Sequence, residues 1–314
     1  MSSISILMSI FNESPKFIKE SIRSILNQTF TDFECIIVVD NPQRKDIEQI
    51  INSFNDSRLK LVYNDSNIGL ALSMNKAAAI ASSHVFARMD ADDIAETNRL
   101  EIEYQILKDK NVDVVYSNYT FIDSDSKKLR GLGRQFVDGY TDPVDIALNP
   151  NQIHHPTVMM RRAIFEEVGG YRNFPCAQDS DLWMRMQEAG ASFYKVSVPL
   201  IKYRINPQST TQERYFKQSL TTRYIYSLSV ERLLYGKDSY SIDNYNNYLK
   251  INGIDSERKN KLFKYGQNCL EKAQKSSLPK RILYRLIALI VAPQIRYYYY
   301  LKMKKKHLLV SRKS

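Results

Sequence analysis

The stretch HVFARMDADD, residues 84–93, places three carboxylates, Asp90, Asp92 and Asp93, within four positions at the end of a mostly apolar run. The run reads as a buried strand. Ionised carboxylates so close together repel one another, and they lose hydration if the strand end is covered. A turn after a strand accounts for one Asp. Three point to a cation, one that a negatively charged ligand brings with it.

Outward from this stretch, the first 116 residues alternate strand-like and helix-like patterns. ISILMSI (4–10) is a first apolar strand, and Ser14 with Pro15 caps a helix in which Ile18, Ile22, Ile25 and Leu26 share one face. ECIIVVD (34–40) gives a second strand, 44–54 a helix and LKLVY (59–63) a third strand. GLALSMNKAAAIAS (69–82) is rich in helix formers, HVFARMD is the fourth strand, 96–109 a helix and VDVVY (112–116) the fifth strand. Such alternation predicts an α/β fold, with a mainly parallel sheet covered by helices on both faces. These sheets bind ligands beyond the carboxyl ends of their strands. Three of those ends carry polar groups: Asn12-Glu13, Asp40-Asn41 and the Asp90–Asp93 cluster. They are expected to converge on one crevice.

Composition bounds the rest. A chain of 314 residues, 43% hydrophobic and 11% aromatic, builds a sizeable core, which excludes wholesale disorder. Cys35, Cys176 and Cys269 are far apart and form no C-x-x-C pair, so neither a zinc knuckle nor a disulfide framework is indicated, as in a reducing compartment. The N-terminus lacks the basic segment and cleavage site of a signal peptide and reads as a core strand.

The net charge of +11 is uneven: from Lys272 to Ser314 there are twelve Lys and Arg and no Asp or Glu, so residues 1–271 are nearly neutral. That argues against a nucleic-acid groove across the body and for a basic tail at a membrane surface. Residues 117–210 show a mixed pattern, and from 212 to the end the chain is mostly helical, with SIDNYNN (241–247) read as a surface turn. RILYRLIALIVA (281–292) is apolar but too short to span a bilayer, and Pro293 separates it from IRYYYYLKMKKKHLL. The pair is read either as an interfacial amphipathic segment or as a helix pair packed on the core with solvated lysines.

A D-x-D pair alone occurs by chance on many surfaces. After an apolar strand of a parallel sheet it gains meaning, because Mg²⁺ and Mn²⁺ take oxygen ligands and bridge one or two carboxylates to substrate phosphates. Further matching stretches are SILMSIFNES near the start, SILNQTFTDFECIIVVDNP (24–42), NDSNIGLALSMNKA (64–77), ARMDADDIAETNRLE (87–101), HHPTVMMRRAIFEEVGGYR (154–172) and AQDSDLWMRM (177–186). Over residues 4–210 the chain resembles a family 2 glycosyltransferase with the nucleotide-sugar-binding GT-A fold, a Rossmann-like α/β architecture. The corresponding organisation is a catalytic domain over 1–211 and a helical extension over 212–314.

The resemblance implies roles. Phe11, Asn12, Glu13 and Asp40 would line the nucleoside pocket, although Asn41 stands where many relatives have a second Asp; the rival, less favoured at a strand end, is an Asx turn of Asp40-Asn41 before Pro42. Asn67, Gly69 and Asn75 match the family's Asn-Gly turn, which places Asn67 near the donor or, with equal weight, serves a purely structural role. Asp92 would be the better ligand for Mn²⁺ or Mg²⁺, with Asp90 reaching either the metal or the ribose and Ala91 lying between them in the donor site. Arg88 is read as a diphosphate contact or an offset to the acids, with Arg99 similarly ambiguous. Asp179 would be the catalytic base, with Gln178 where relatives show Glu; the alternative is an acidic first helical turn.

His155, Asp181 and Trp183, the single tryptophan, are candidates for the acceptor side, with structural roles as their rivals. In YRINPQST (203–210), Asn206 replaces a family His, arguing against a histidine metal ligand there.

The expectation is a metal-dependent, inverting hexosyl- or N-acetylhexosaminyltransferase. It would use a UDP-sugar by preference and act on a saccharide, lipid-linked acceptor for bacterial capsule, O-antigen or exopolysaccharide. It would sit peripherally at the inner face of the cytoplasmic membrane, with no nucleic-acid partner. The alternatives are an inactive nucleotide-binding scaffold of the same fold, a nucleotidyltransferase, or an anionic-polymer binder acting through the tail.

Overall fold

The structure, a computed structural model, describes residues 2–132, 136–205 and 215–311. The chain divides into two compact units, 1–208 and 209–314. The expected boundary at 211/212 and the Asn206 position both lie outside the described residues.

In the first unit, β1 (Ile4–Ile10) and β2 (Phe33–Val39) are buried at every position. A strand with neighbours on both sides and helices on both faces has no polar side to keep, hence the continuous apolar runs. The connection between them is α1 (Pro15–Leu26). The Ser14 hydroxyl accepts from the Phe17 N–H at 3.3 Å, and Ile18, Ile22 and Ile25 are buried. Next come α2 (Asp46–Asn52), β3 (Leu59–Tyr63), α3 (Leu70–Ile80), β4 (Val85–Asp90), a short β5 (Ile94–Ala95), α4 (Arg99–Asp109) and β6 (Val114–Ile122). The fifth strand therefore starts two residues later than expected and runs on to Ile122.

Beyond β6 lie β7 (Lys128–Leu132), β8 (Gly139–Tyr140), α5 (Pro143–Leu148), β9 (Val158–Arg161), α6 (Arg162–Glu167), α7 (Gln178–Glu188) and β10 (Phe193–Arg204). The sheet order is β3-β2-β1-β4-β9-β6-β10-β5, with β7 on β6 and β8 on β10. From β3 to β4 the pairing is parallel, as the alternation implies. Past β4 the sheet is mixed: β9 runs antiparallel between β4 and β6, while β10 returns parallel to β6. The stretch after β6 lacks the regular helical crossovers that parallel pairing needs, and short connections allow antiparallel strands instead.

Helices cover both faces. One core cluster gathers Ile18, Ile22, Leu100 and Leu107 against the sheet, and the other gathers Met74, Ala77, Phe165 and Trp183. The α/β class, with a sheet between helices and a helical C-terminal part, is the one the sequence predicts.

The second unit comprises α8 (Tyr215–Tyr235), α9 (Ile242–Ile251), α10 (Glu257–Gln274), α11 (Leu278–Val291) and α12 (Pro293–Ser311). The segment 241–247, expected as a surface turn, is the start of α9. Ser241 caps it by accepting from the Asn244 N–H at 3.0 Å, and Tyr245 and Leu249, one helical turn apart, are buried. Pro293 opens α12 at a position where a missing N–H is harmless. The lysines of the tail are not uniformly solvated: Lys305 is buried, its ammonium 5.7 Å from the centre of the Tyr226 ring. A Cβ on Gly266 of α10 would fall 2.8 Å from that of Ala292, so glycine there lets the chain before α12 approach closely. No described helix is long and apolar enough to cross a membrane.

Candidate active site

Strand register brings the three polar strand ends together. Ile10 pairs with Val39 and Ser9 with Asp90, so the residues following β1, β2 and β4 emerge side by side. The acidic loop after β4 is held from below. Arg204, at the end of β10 and fully buried, donates its Nε to the Asp92 carbonyl at 2.7 Å and its backbone N–H to Asp93 Oδ1 at 2.8 Å. Its guanidinium also reaches Glu20 Oε2 at 2.7 Å, and Ser21 Oγ donates to the Asp90 carbonyl at 2.9 Å. The loop is thereby fixed through α1 and β10.

The carboxylates crowd one another. Burial, then the charges of Asp90 and Glu13, push Asp92 up to about 7. Burial with the Asp90 and Asp92 charges raises Asp93 well above the carboxylate range, and its Oδ2 is buried with no hydrogen-bond partner. Glu13 is raised too, mainly by burial, while accepting from the Phe11 N–H at 2.7 Å. Phe11 is partly exposed beside it, and Asn12 accepts from Asn41 Nδ2 at 3.0 Å. Asn41 also accepts from the Gln43 N–H at 3.0 Å, the Asx turn anticipated before α2.

Arg88 is 1% exposed. Its guanidinium pairs with Asp90 and donates to the Met89 and Leu7 carbonyls, and its Nε donates to His155 Nδ1 at 3.3 Å. Of the two readings of Arg88, a diphosphate contact or an offset to the acids, these buried contacts match the second. Arg99 is likewise buried, donating to Glu103 and the Arg88 carbonyl.

His155, expected on the acceptor side, is buried with both ring nitrogens engaged, Nε2 lying 2.6 Å from the Tyr171 hydroxyl. Since Nδ1 accepts from Arg88, Nε2 carries the proton and donates. Burial, then the positive Arg88, hold this imidazole well below its ordinary pKa, so it is neutral. Its Nδ1 thus braces the Arg88 side chain from inside.

Asp40 is buried and accepts from the N–H groups of Ile68 and Gly69 at 2.9 and 2.8 Å and from Asn64 Nδ2 at 2.8 Å. It anchors the loop that leads into α3. Asn67, exposed in that loop, accepts from the Gly69 N–H at 3.1 Å. Gly69 has φ +88° and ψ 159°, a region open essentially to glycine alone. Asn75 makes two hydrogen bonds to the Tyr171 main chain, at 2.8 and 2.9 Å, tying α3 to the segment before α7. Ala91 buries its methyl in the core, which leaves only its main chain facing the loop.

Asp179 lies in the first turn of α7, directly after Ala177, which adopts a left-handed conformation (φ +57°) rare for a non-glycine residue. One carboxylate oxygen accepts from the Ser180 N–H at 2.7 Å. Burial pushes this acid up to about 6, and the Asp90 charge adds to the shift, so Asp179 belongs to the same electrostatic cluster as the β4 end.

Two companions do not. Asp181 is fully buried, 2.8 Å from the Arg185 guanidinium, and Trp183 is fully buried in the core among the sheet and helix side chains. Both are sealed from solvent in this structure, the placement that the structural readings of the two residues anticipate. Most of α7 is enclosed, with every residue from Ser180 to Met186 buried.

Tyr171 and Tyr203 were not anticipated. Burial first and Asp90 among the neighbouring charges raise both phenols. Tyr203 also forms an aromatic cluster with Tyr119, Phe121 and His154, whose Nε2 is 2.8 Å from the Tyr119 hydroxyl. Nothing local in YRIN or GGYR marks these rings, because their neighbours come from strands far apart in sequence.

Among the described residues no group of three or more His, Cys, Asp or Glu is arranged to hold a metal unaided. The donor set nevertheless suits a hard divalent ion that completes its shell with phosphate oxygens and water. Asp92 is raised first by burial and then by the charges of Asp90 and Glu13, which Arg204 only partly offsets, and a cation would relieve that charge imbalance.

The model of the family described as glycosyl transferase family 2 matches residues 5–169. The chain belongs to this family. It is a glycosyltransferase. A relative from Methanocaldococcus jannaschii, an uncharacterized glycosyltransferase MJ1057, is 33% identical over 224 residues, 70% of this chain and 77% of that protein. The Escherichia coli UDP-Glc:alpha-D-GlcNAc-diphosphoundecaprenol beta-1,3-glucosyltransferase WfgD is 27% identical over 68% of this chain and 81% of its own. Among solved structures, S. aureus TarS 1–349 in complex with UDP-GlcNAc superposes with a TM-score of 0.63 at 15% identity, over 98% of this chain and 89% of that one. This likeness extends the GT-A fold to the glycosyltransferase described here.

Proposed function

We propose that the enzyme moves a hexosyl or N-acetylhexosaminyl group from a UDP-sugar to a saccharide acceptor, with inversion at the anomeric carbon, in bacterial surface polysaccharide assembly. The observation that carries the reading is the shared electrostatic cluster. Asp179, poised near neutrality, feels the charge of Asp90 across the crevice where the ends of β1, β2 and β4 meet. A partly protonated carboxyl near the operating pH suits a general base.

Asp179 takes the proton of the acceptor hydroxyl as that oxygen attacks the sugar from the face opposite the leaving diphosphate. Phe11, Asn12, Glu13 and Asp40 line the nucleoside end, with Asn67 beside them. Asp92 and Asp90 would hold Mn²⁺ or Mg²⁺, and the ion would supply charge stabilisation for the departing diphosphate. The diphosphoundecaprenol-linked acceptor of WfgD supports a lipid-diphosphate-linked acceptor, and the UDP-GlcNAc in TarS supports a UDP-sugar. With such an acceptor the enzyme works peripherally, at the inner face of the cytoplasmic membrane.

The test is calorimetry with UDP-glucose and UDP-N-acetylglucosamine in Mn²⁺ and in EDTA, followed by product analysis. Metal-dependent binding and release of UDP, not pyrophosphate, are expected. Equal binding in EDTA overturns the metal role, and pyrophosphate release overturns the transferase chemistry.

A further inference from the structure

The second unit carries an apolar surface that the catalytic chemistry does not use. On α11, Leu278, Ile282, Leu283, Leu286 and Ile290 are each between 51% and 73% exposed. At 3.6 residues per turn these five fall within an arc of about 140°. The opposite side of the helix is less exposed: Ala288 is buried, Tyr284, Ile287 and Val291 are half-buried, and the adjoining Ala292 packs by Gly266 of α10. An amphipathic helix of a globular protein ordinarily buries its large apolar side chains. This one leaves five of them largely exposed.

The margins of the arc are basic. Arg285 borders it beyond Leu278, and Lys280 borders it beyond Leu283, both exposed. The chain from residue 272 onward contains twelve basic and no acidic residues. On the following helix, Tyr297, Tyr300 and Met303 are exposed as well. At 1.5 Å per residue the fourteen residues of α11 extend about 21 Å, short of the ~30 Å hydrocarbon thickness.

We infer that the outward face of α11 lies in the interfacial plane of an anionic lipid surface, its leucines and isoleucines among the acyl chains and its Lys and Arg at headgroup level. Charge decides between occupants. A second copy of this chain would bring an equally basic rim against this one, whereas phosphatidylglycerol or a lipid diphosphate supplies the complementary sign. The inference deepens the membrane element of the proposed function, but its evidence is independent of the transfer chemistry.

The test is co-sedimentation of the full chain with phosphatidylcholine vesicles with and without phosphatidylglycerol, without donor or acceptor. Wild type is expected to pellet with anionic vesicles, with affinity falling as salt rises. The double variant Ile282→Glu/Leu286→Glu, at exposed positions, is expected to lose about tenfold or more in affinity, and Lys280→Glu/Arg285→Glu to show a weaker salt dependence than wild type. Helical content by circular dichroism and UDP-sugar binding serve as controls.

Undiminished vesicle binding by the double variant overturns the inference. So does a wild type that ignores vesicles and forms a dimer by light scattering that the double variant abolishes. Vesicle binding in a protein that fails to transfer sugar upholds this surface while overturning the catalytic reading, so the two failures are distinguishable.

Discussion

At the scale of single residues, the candidate site depends on where protons sit. Asp179 must be unprotonated to accept the acceptor proton, so the transfer rate should rise with pH through about 6. Asp179→Asn should lower turnover by about 10²–10⁴-fold while leaving UDP-sugar affinity within a few-fold, checked by steady-state kinetics and calorimetry. An unchanged turnover sinks the base assignment.

Asp92 gives a different signature. Its folded-state pKa of about 7 lies above the ordinary 3.8, so between those values the native form holds a proton that the unfolded chain has released. The metal-free enzyme therefore loses stability from this group as pH rises across that window. Asp92→Asn should melt higher than wild type at pH 8 and show a smaller difference at pH 5, while losing any Mn²⁺-induced shift in melting temperature. Differential scanning fluorimetry at the two pH values decides it.

The acidic run after a strand was legible in the sequence, as were the positions of Asp90, Asp92 and Asp179. Burial was not. A sequence shows that Arg88 neighbours an acid but not that its guanidinium points inward to His155, and it shows an Asp-x-x-x-Arg spacing at 181–185 without saying that the pair is sealed in the core. These are tertiary facts, set by which elements stack on β4 and α7.

At the scale of elements, local signals and long-range pairing part company. The Ser14-Pro15 start of α1 could be read because both its cap and its apolar face lie within one short segment. The insertion of β9 between β4 and β6 could not, since its partners are Val85–Ala87 and Val114–Tyr116, well over thirty residues away. The start of α9 was missed because Ser, Asp and Asn favour both turns and helix beginnings, and only the burial of Tyr245 and Leu249 selects the helix.

The loop from β3 to α3 carries its own prediction. Gly69 adopts a backbone conformation foreign to other residues, and a Cβ there meets nothing within 4 Å. Gly69→Ala should therefore destabilise by about 1–3 kcal/mol through the backbone alone. Because the Gly69 N–H donates to Asp40, UDP-sugar affinity should fall with it. Urea denaturation that reports equal stability removes the strain argument.

At the scale of the molecule, the two units can be watched separately. Trp183 is the single tryptophan, fully buried in the 1–208 unit, whereas the 209–314 unit is helical throughout its described elements. Tryptophan emission reports the first unit alone, and far-ultraviolet circular dichroism weighs the second heavily. Saturating UDP-sugar with Mn²⁺ stabilises only what binds it, by about 2.7 kcal/mol at a hundredfold excess over Kd. The emission transition should move to higher temperature while part of the dichroism change stays in place. A single transition moving as one by both probes contradicts independent units.

The charge partition was plain from composition, because counting needs no geometry. The outward orientation of the apolar side of α11 was not, since a periodic pattern gives the stripe but not the direction it faces.

Asp90 acts on Glu13, Asp92, Asp93, Tyr171, Asp179 and Tyr203 at once. Neutralising it as Asn would thus retune the acidity of a side chain on another helix, sliding the Asp179 limb of the rate profile toward lower pH. Mutational effects around this hub are bound to be epistatic. A scan of single substitutions would credit each acid with work that belongs to the group, and only double-mutant cycles through Asp90 would apportion it.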